Sequence, residues 1–327
     1  MILLLAIIVL ALVFDYTNGF HDTANAIATA VSTRAIPPRV AVLMAAILNF
    51  VGALVSTSVA TTVGQGIVDT HLVTLPLVLA ALVGAVVWNF VTWYFGLPSS
   101  SSQALFGGLI GAMLAAVGVS GVEWGGVILK IVLPMILSPV AGFVAAWLTM
   151  TALFWIVRRQ QIEPVNRTFK RLQWFSTGFV AFSHGGNDAQ KTMGVITLAL
   201  FASGAIPQFA VPFWVKLACA LAMAAGTYSG GWRIIHTMGS KMMKLDPVHG
   251  FAAQASAAVV IEAATRVGLP VSTTQTITAA IMGTGSARRL SSVRWGVAGD
   301  IATAWVLTLP AAALVSAGIY LAGVALL

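Results

Sequence analysis

The sequence predicts an all-α polytopic membrane protein built from two inverted-topology repeats, with broken helices and half-helix, re-entrant-like hairpins. Three observations predict it. Of 327 residues, 59% are hydrophobic and 8% charged, whereas soluble chains carry about a quarter charged residues. Apolar runs recur from end to end, several longer than the roughly 18–20 residues needed to cross a bilayer. The third is internal repetition, with blocks recurring in the same order at nearly constant spacing.

In the first half, spans are expected at 2–31 with an interruption around 15–22, then at 40–62, 74–95, 97–118 and 126–157. In the second, they are expected at 172–200 with an interruption at 183–188, then at 208–232, 249–267, 269–287 and 294–325. The opening run "MILLLAIIVLALVF" lacks a basic flank and a small-residue cleavage site, so it reads as the start of the first span rather than a signal peptide. The expected organisation is a first repeat over 1–157, a basic linker over 158–171 and a second repeat over 172–327.

The repeat rests on three pairs of blocks. "NGFHDTANA" (18–26) echoes "HGGNDAQKT" (184–192), setting Asp22 against Asp188 and Asn25 against Lys191. "GLPSSSSQALFGGLIGA" (96–112) echoes "GLPVSTTQTITAAIMGT" (268–284) at an offset of 172. "WGGVILKIVLPMILSP" (124–139) matches "WGVAGDIATAWVLTLP" (295–310) more loosely. Thirteen of the seventeen Lys and Arg fall in four short segments, at 34–39, 158–171, 233–244 and 288–294. This is the positive-inside pattern, so the net charge of +8 sets orientation and implies no nucleic-acid partner. Placing those segments in the cytoplasm runs the two halves in opposite senses, an arrangement typical of secondary transporters with midplane sites.

Two constellations carry chemistry. "DYTNGFHD" and "SHGGNDAQ" set Gly, Asn, Asp and His where an unbroken helix favours Leu and Ala. An ionised carboxylate at membrane depth costs at least about 2.5–3.5 kcal/mol. Free carbonyls at a break, with Asp22 or Asp188 beside Asn18 and Asn187, would cage Na+ or let a proton titrate the carboxylate. The alternative is that each Asp only caps a half-helix. "PSSSSQ" (98–103) and "PVSTTQ" (270–275) read as helix starts, with Pro followed by hydroxyls. Starts within apolar chain aim free N–H groups and the positive dipole end inward. Ser100, Ser101, Ser102 and Gln103, with Ser272, Thr273, Thr274 and Gln275, would then surround a compact oxyanion with neutral donors. Plain interhelical hydrogen bonding is the competing role. Lys191 stands inside the second expected break, where it would pair with Asp188 or complement an anion. His184 is placed to bind the anion, relay a proton or steady the break.

With these motifs on both halves, the chain resembles the PiT family of inorganic phosphate transporters over essentially its whole length. "NGFHDTANAIAT" is similar to the family's first signature and "HGGNDAQKTMG" to its second. The resemblance implies symport of phosphate, free or as a metal–phosphate complex, driven by Na+ or H+, in a protein that is often dimeric and sits in the bacterial cytoplasmic membrane. It also implies ligand roles for Asp22, Asn25, Asp188, Gln190, Lys191, the two hydroxyl–Gln segments and His184. Where some members carry a glutamate in the second helix of each half, this chain has Asn49 and Gln254. A sulfate-carrying branch shares the architecture, and a passive anion channel could use the same helix starts.

An enzyme is not expected, because no zinc-ligand spacing, phosphate-binding glycine loop or hydrolase elbow occurs, and the single cysteine, Cys219, allows no internal disulfide. No cofactor is expected beyond the coupling ion.

Overall fold

The computed structural model describes residues 1–325, apart from the side chain of Ser240; the last two residues of the expected second repeat lie outside it. Among the described residues the chain is helical, with one isolated bridge between Val68 and Val122 and no extended strand. The first half holds α1 (Ile2–Ser32), α2 (Pro38–Val55), α3 (Ser58–Gln65), α4 (Leu75–Phe95), α5 (Ser101–Ala116) and α6 (Trp124–Val157). The second holds α7 (Ile162–Ala202), α8 (Phe213–Ser229), α9 (Trp232–His236, extended by a π turn over Thr237–Lys241), α10 (Pro247–Arg266), α11 (Thr273–Arg288) and α12 (Trp295–Ala325). Residues expected in the basic linker from 162 onward form the first turns of α7, mostly exposed but with Val165 and Phe169 buried.

Local chemistry sets these boundaries. Pro38, Pro76 and Pro247 stand in first turns, where the missing N–H has no partner to lose. Gly96, at φ +65, closes α4 in the left-handed conformation that side chains resist. Ser100 and Ser272 cap α5 and α11, each accepting from the amide of the Gln three residues on. Among the described residues, five helices are long and apolar enough to cross a membrane: α1, α2, α4, α6 and α12. Residues such as Ile47, Ile136, Val140, Val306 and Leu314 are exposed on them, as lipid-facing side chains are. The protein is a multi-pass membrane protein. At 16 residues each, α5 and α11 are about 24 Å long, short of a hydrocarbon core of about 30 Å.

The packing repeats with the sequence. α1 lies on α8 as α7 lies on α2; α5 lies on α12 as α11 lies on α6; α4 packs on α5 as α10 packs on α11. The interior of this bundle holds the chemistry.

One expectation is overturned. α1 and α7 run unbroken through 15–22 and 183–188, where interruptions are expected. The glycines in those motifs mark helix crossings instead. A Cβ on Gly19 would lie 2.4 Å from the Met223 carbonyl oxygen, and one on Gly226 would lie 2.0 Å from that of Tyr16. The mate crossing has Gly185 against the Asn49 carbonyl and Gly52 against the Phe182 carbonyl, both at 2.1 Å. Side chains there would force the helices apart. The real interruptions fall one helix later, at residues 56–57 between α2 and α3 and at Gly230–Gly231 between α8 and α9.

Candidate functional site

A continuous helix sorts residues by face, so spacings of three and four share a stripe. On α1 this aligns Asp15, Asn18, Asp22 and Asn25; on α7 it aligns His184, Asp188 and Lys191. All are buried, none more than 2% exposed. α5 and α11 bring their hydroxyl-rich starts against these stripes.

The carboxylates meet the helix starts directly. Thr274 donates to Asp22 Oδ1 at 3.1 Å, and Thr273 donates to Asp188 Oδ2 at 3.0 Å. Lys191 Nζ donates to the other Asp188 oxygen, to Ser102 Oγ, and at 2.7 Å to the Val271 carbonyl just ahead of α11. Asn25 Nδ2 donates to Thr274 Oγ1 at 2.8 Å, leaving its Oδ1 buried and unpartnered among the described residues. Asp22, Asn25, Asp188, Lys191, Ser102, Thr273 and Thr274 thus form one cluster drawn from both halves. Its main-chain oxygen comes from the extended segment before α11, not from a break in α1 or α7, because mid-helix carbonyls are already bonded.

His184 completes it. Thr227 gives its proton to the Met223 carbonyl and so accepts from Asn49 Nδ2 at 2.9 Å. That turns Asn49 Oδ1 toward His184 Nδ1 at 3.0 Å, and only a proton on Nδ1 makes the contact a bond. Nε2 then points between Asp188 Oδ2, at 3.4 Å, and Asp22 Oδ2, at 3.9 Å, with no aligned partner. One ligand atom from each of Asp22, His184 and Asp188 lies within 4.8 Å of the other two. A bare nitrogen lone pair facing two carboxylates is repulsive, and a proton or small cation in that space removes the conflict. Asn49 thus fixes the orientation of the His184 ring, although in the sequence it stands out only where some relatives carry a glutamate.

The other expected residues are placed as follows. Ser100 and Ser272 are caps, while Ser101 Oγ and Gln103 Oε1 are buried without partners among the described residues. Gln103 and Gln275 line a mostly apolar cavity of about 480 Å³ with Met135, Pro139, Trp305 and Leu309. Gln190 turns aside from the cluster: its Oε1 accepts from the Val59 and Ala60 amides at the start of α3, and its Nε2 returns to the Gly186 carbonyl. Asn187 bonds Thr265, the Leu269 carbonyl and the Val271 amide, holding the segment ahead of α11. Asn18 is buried, with Oδ1 unpartnered among the described residues.

One residue was missed, and another, His21, is weak in the sequence because Asn187 rather than a histidine stands opposite it in the repeat. Asp15 is fully buried, accepting from Thr192 at 2.9 Å; its i−7 spacing from Asp22 was the available signal. His21 Nδ1 donates to Asp22 Oδ1, 2.8 Å away, and its Nε2 lies 3.2 Å from Thr92 Oγ1. Three buried carboxylates therefore share one lysine and two histidines.

Comparison with known proteins gives the family. A family profile described as the phosphate transporter family matches residues 18–316. A "Probable low-affinity inorganic phosphate transporter" of Rhizobium meliloti (strain 1021) is 52% identical over 98% of this chain and 96% of its own length. One of the same description from Bacillus subtilis (strain 168) is 44% identical over 98% and 97%. The solved structure titled "The sodium-dependent phosphate transporter" superimposes with a TM-score of 0.90 at 27% identity, covering 100% of both chains.

Proposed function

The chain belongs to the phosphate transporter family, and on that footing we propose that it is a secondary active transporter importing inorganic phosphate by symport with Na+ or H+. The plasma membrane, the cytoplasmic membrane of a bacterium, is its place, with the basic segments on the cytoplasmic side. The observation carrying the reading is that the α11 hydroxyls and the paired carboxylates hydrogen-bond each other directly.

This contact couples cation to anion. While no cation shares the space between the carboxylates, Thr274 and Thr273 are held as donors to Asp22 and Asp188, and the negative charge left beyond that paired with Lys191 repels a phosphate. A cation between Asp22, His184 and Asp188 cancels that charge and competes for the carboxylate oxygens. The threonine hydroxyls, with Ser101, Ser102 and the free N–H groups opening α5 and α11, then turn to the phosphate. Lys191 adds a positive charge at the rim of the same space. Neutral donors suit a cargo that must leave again. The two interlocked halves supply the units whose relative motion exchanges access.

The test is radiolabelled phosphate uptake into proteoliposomes under an imposed Na+ gradient, an imposed proton gradient or neither, with excess sulfate as competitor. Accumulation driven by one gradient and resistant to sulfate is the expected result. Failure of both gradients to concentrate phosphate, or full competition by sulfate, contradicts the reading.

A further inference from the structure

The duplication allows the two halves of the site to be compared atom by atom. Lys191 Nζ sits among three oxygens: Asp188 Oδ1, Ser102 Oγ and the Val271 carbonyl. The repeat offsets give these the mates Asp22, Thr274 and Ser99, and give Lys191 the mate Asn25. One contact shows that the correspondence holds in space: Lys191 Nζ bonds Ser102 Oγ as Asn25 Nδ2 bonds Thr274 Oγ1.

The two positions differ in charge. In the second half, an ammonium fills a pocket of a carboxylate, a hydroxyl and a carbonyl, all acceptors toward it. That is the oxygen environment a small monovalent cation takes. In the first half, a shorter, neutral amide stands at the same place. Its Oδ1, 1% exposed as part of Asn25, has no partner among the described residues, and it lies on the stripe of Asp22. Asp22 is left to the two histidines, with no lysine.

We propose that the Lys191 ammonium is a tethered cation permanently filling the second half's copy of a duplicated cation site, so that, of the two copies, the first half's alone, at Asp22 and Asn25 and opening on the space Asp22 shares with His184 and Asp188, exchanges a cation during transport. The inference rests on the phosphate-symport reading for its transport consequence, but not for its binding consequence. Each transport cycle then moves one cation fewer than a site with two open copies. Because the tethered charge cannot leave, part of the charge balance in the cluster is fixed whatever the external Na+.

The test is Lys191→Asn, which copies Asn25 into the second half. Purified wild type and variant are compared for thermal midpoint in NaCl against choline chloride at equal ionic strength, and for phosphate uptake across a Na+ series. The variant is expected to gain a Na+-specific rise in midpoint beyond any shown by wild type. Its phosphate affinity should also acquire a Na+ dependence of about tenfold beyond that of wild type, the usual size of coupling between two bound ligands. A folded variant whose midpoint and uptake respond to NaCl no more than wild type overturns the inference. If wild type accumulates no phosphate in any gradient while the variant still gains the Na+-specific midpoint shift, the transport reading fails and the tethered cation stands. If Lys191→Asn does not fold, the converse variant Asn25→Lys decides. It should fill the first copy and erase the response of wild-type midpoint and uptake to Na+ or pH; an undiminished response overturns the inference.

Discussion

At the residue scale, the central fact is a shortage of positive charge around buried carboxylates. Asp188 has the Lys191 ammonium and the Thr273 hydroxyl, whereas Asp22 has Thr274 and histidines. The two aspartates should therefore respond differently to the same change. Asp188→Asn strands a buried ammonium, and removing one partner of a buried pair costs about 3–5 kcal/mol. That variant should show a clearly lowered thermal midpoint. Asp22→Asn strands no lysine, so it should stay near wild-type stability while losing gradient-driven phosphate accumulation. Thermal unfolding of both in detergent, beside uptake by the second, checks the contrast; equal stability of the two variants contradicts the assigned pairing. The aspartates, Lys191 and the threonines were legible in the sequence because a charged or hydroxylated residue in an apolar run stands out. The Thr227–Asn49–His184 chain was not, since Asn49 is 135 positions from His184 and only packing joins them.

At the element scale, glycine does opposite jobs that sequence alone does not separate. Low helix propensity and polar neighbours at Gly19 and Gly185 read as breaks, yet both lie in continuous helices and serve close crossings. Neighbouring backbone, absent from a local sequence window, decides the outcome. Gly52→Ala tests the crossing: its Cβ would meet the Phe182 carbonyl 2.1 Å away, a main-chain atom with no rotamer to change. Overpacking of this kind costs about 1–3 kcal/mol, so yield and thermal midpoint should both fall; an unchanged midpoint contradicts the tight crossing. The helix starts were legible, since Pro followed by Ser or Thr needs no tertiary partner to begin a helix. A further start, at α10, makes a pH-dependent contribution. Asp246 accepts from the Val248 and His249 amides, each at 2.9 Å, and lies 2.8 Å from His249 Nδ1. Partial burial alone would raise its carboxyl, but the contacts with His249 and the two amides outweigh burial and hold it below the ordinary carboxylate value. A depressed folded value means the stabilisation is complete above the unfolded carboxylate range, near pH 4, and fades as pH falls through the folded value. Asp246→Ala should cost about 1 kcal/mol at neutral pH, as lost caps do, with the gap to wild type narrowing under acid. A gap that ignores pH contradicts the role given to the carboxylate.

At the scale of the whole molecule, duplication organises everything else. Each packing pair has its mate in the other half, and the site takes Asp22, Asn25 and Ser102 from one half and Asp188, Lys191, Thr273 and Thr274 from the other. A change in how the halves sit together must therefore alter the site. The duplication was legible as repeated text, whereas the crossing of partners between halves needed the fold. Under the proposed coupling, cation binding at the carboxylates releases the helix-start hydroxyls to phosphate. The most direct test is the equilibrium affinity of purified protein for radiolabelled phosphate, measured across a Na+ series at fixed pH and across a pH series without Na+. Asp22→Asn, which neutralises that carboxylate permanently, is measured alongside. Wild type should bind phosphate more tightly as Na+ rises or as pH falls, while Asp22→Asn should bind it with little dependence on either. Wild-type affinity indifferent to both cations, or a variant as cation-dependent as wild type, would contradict the coupling.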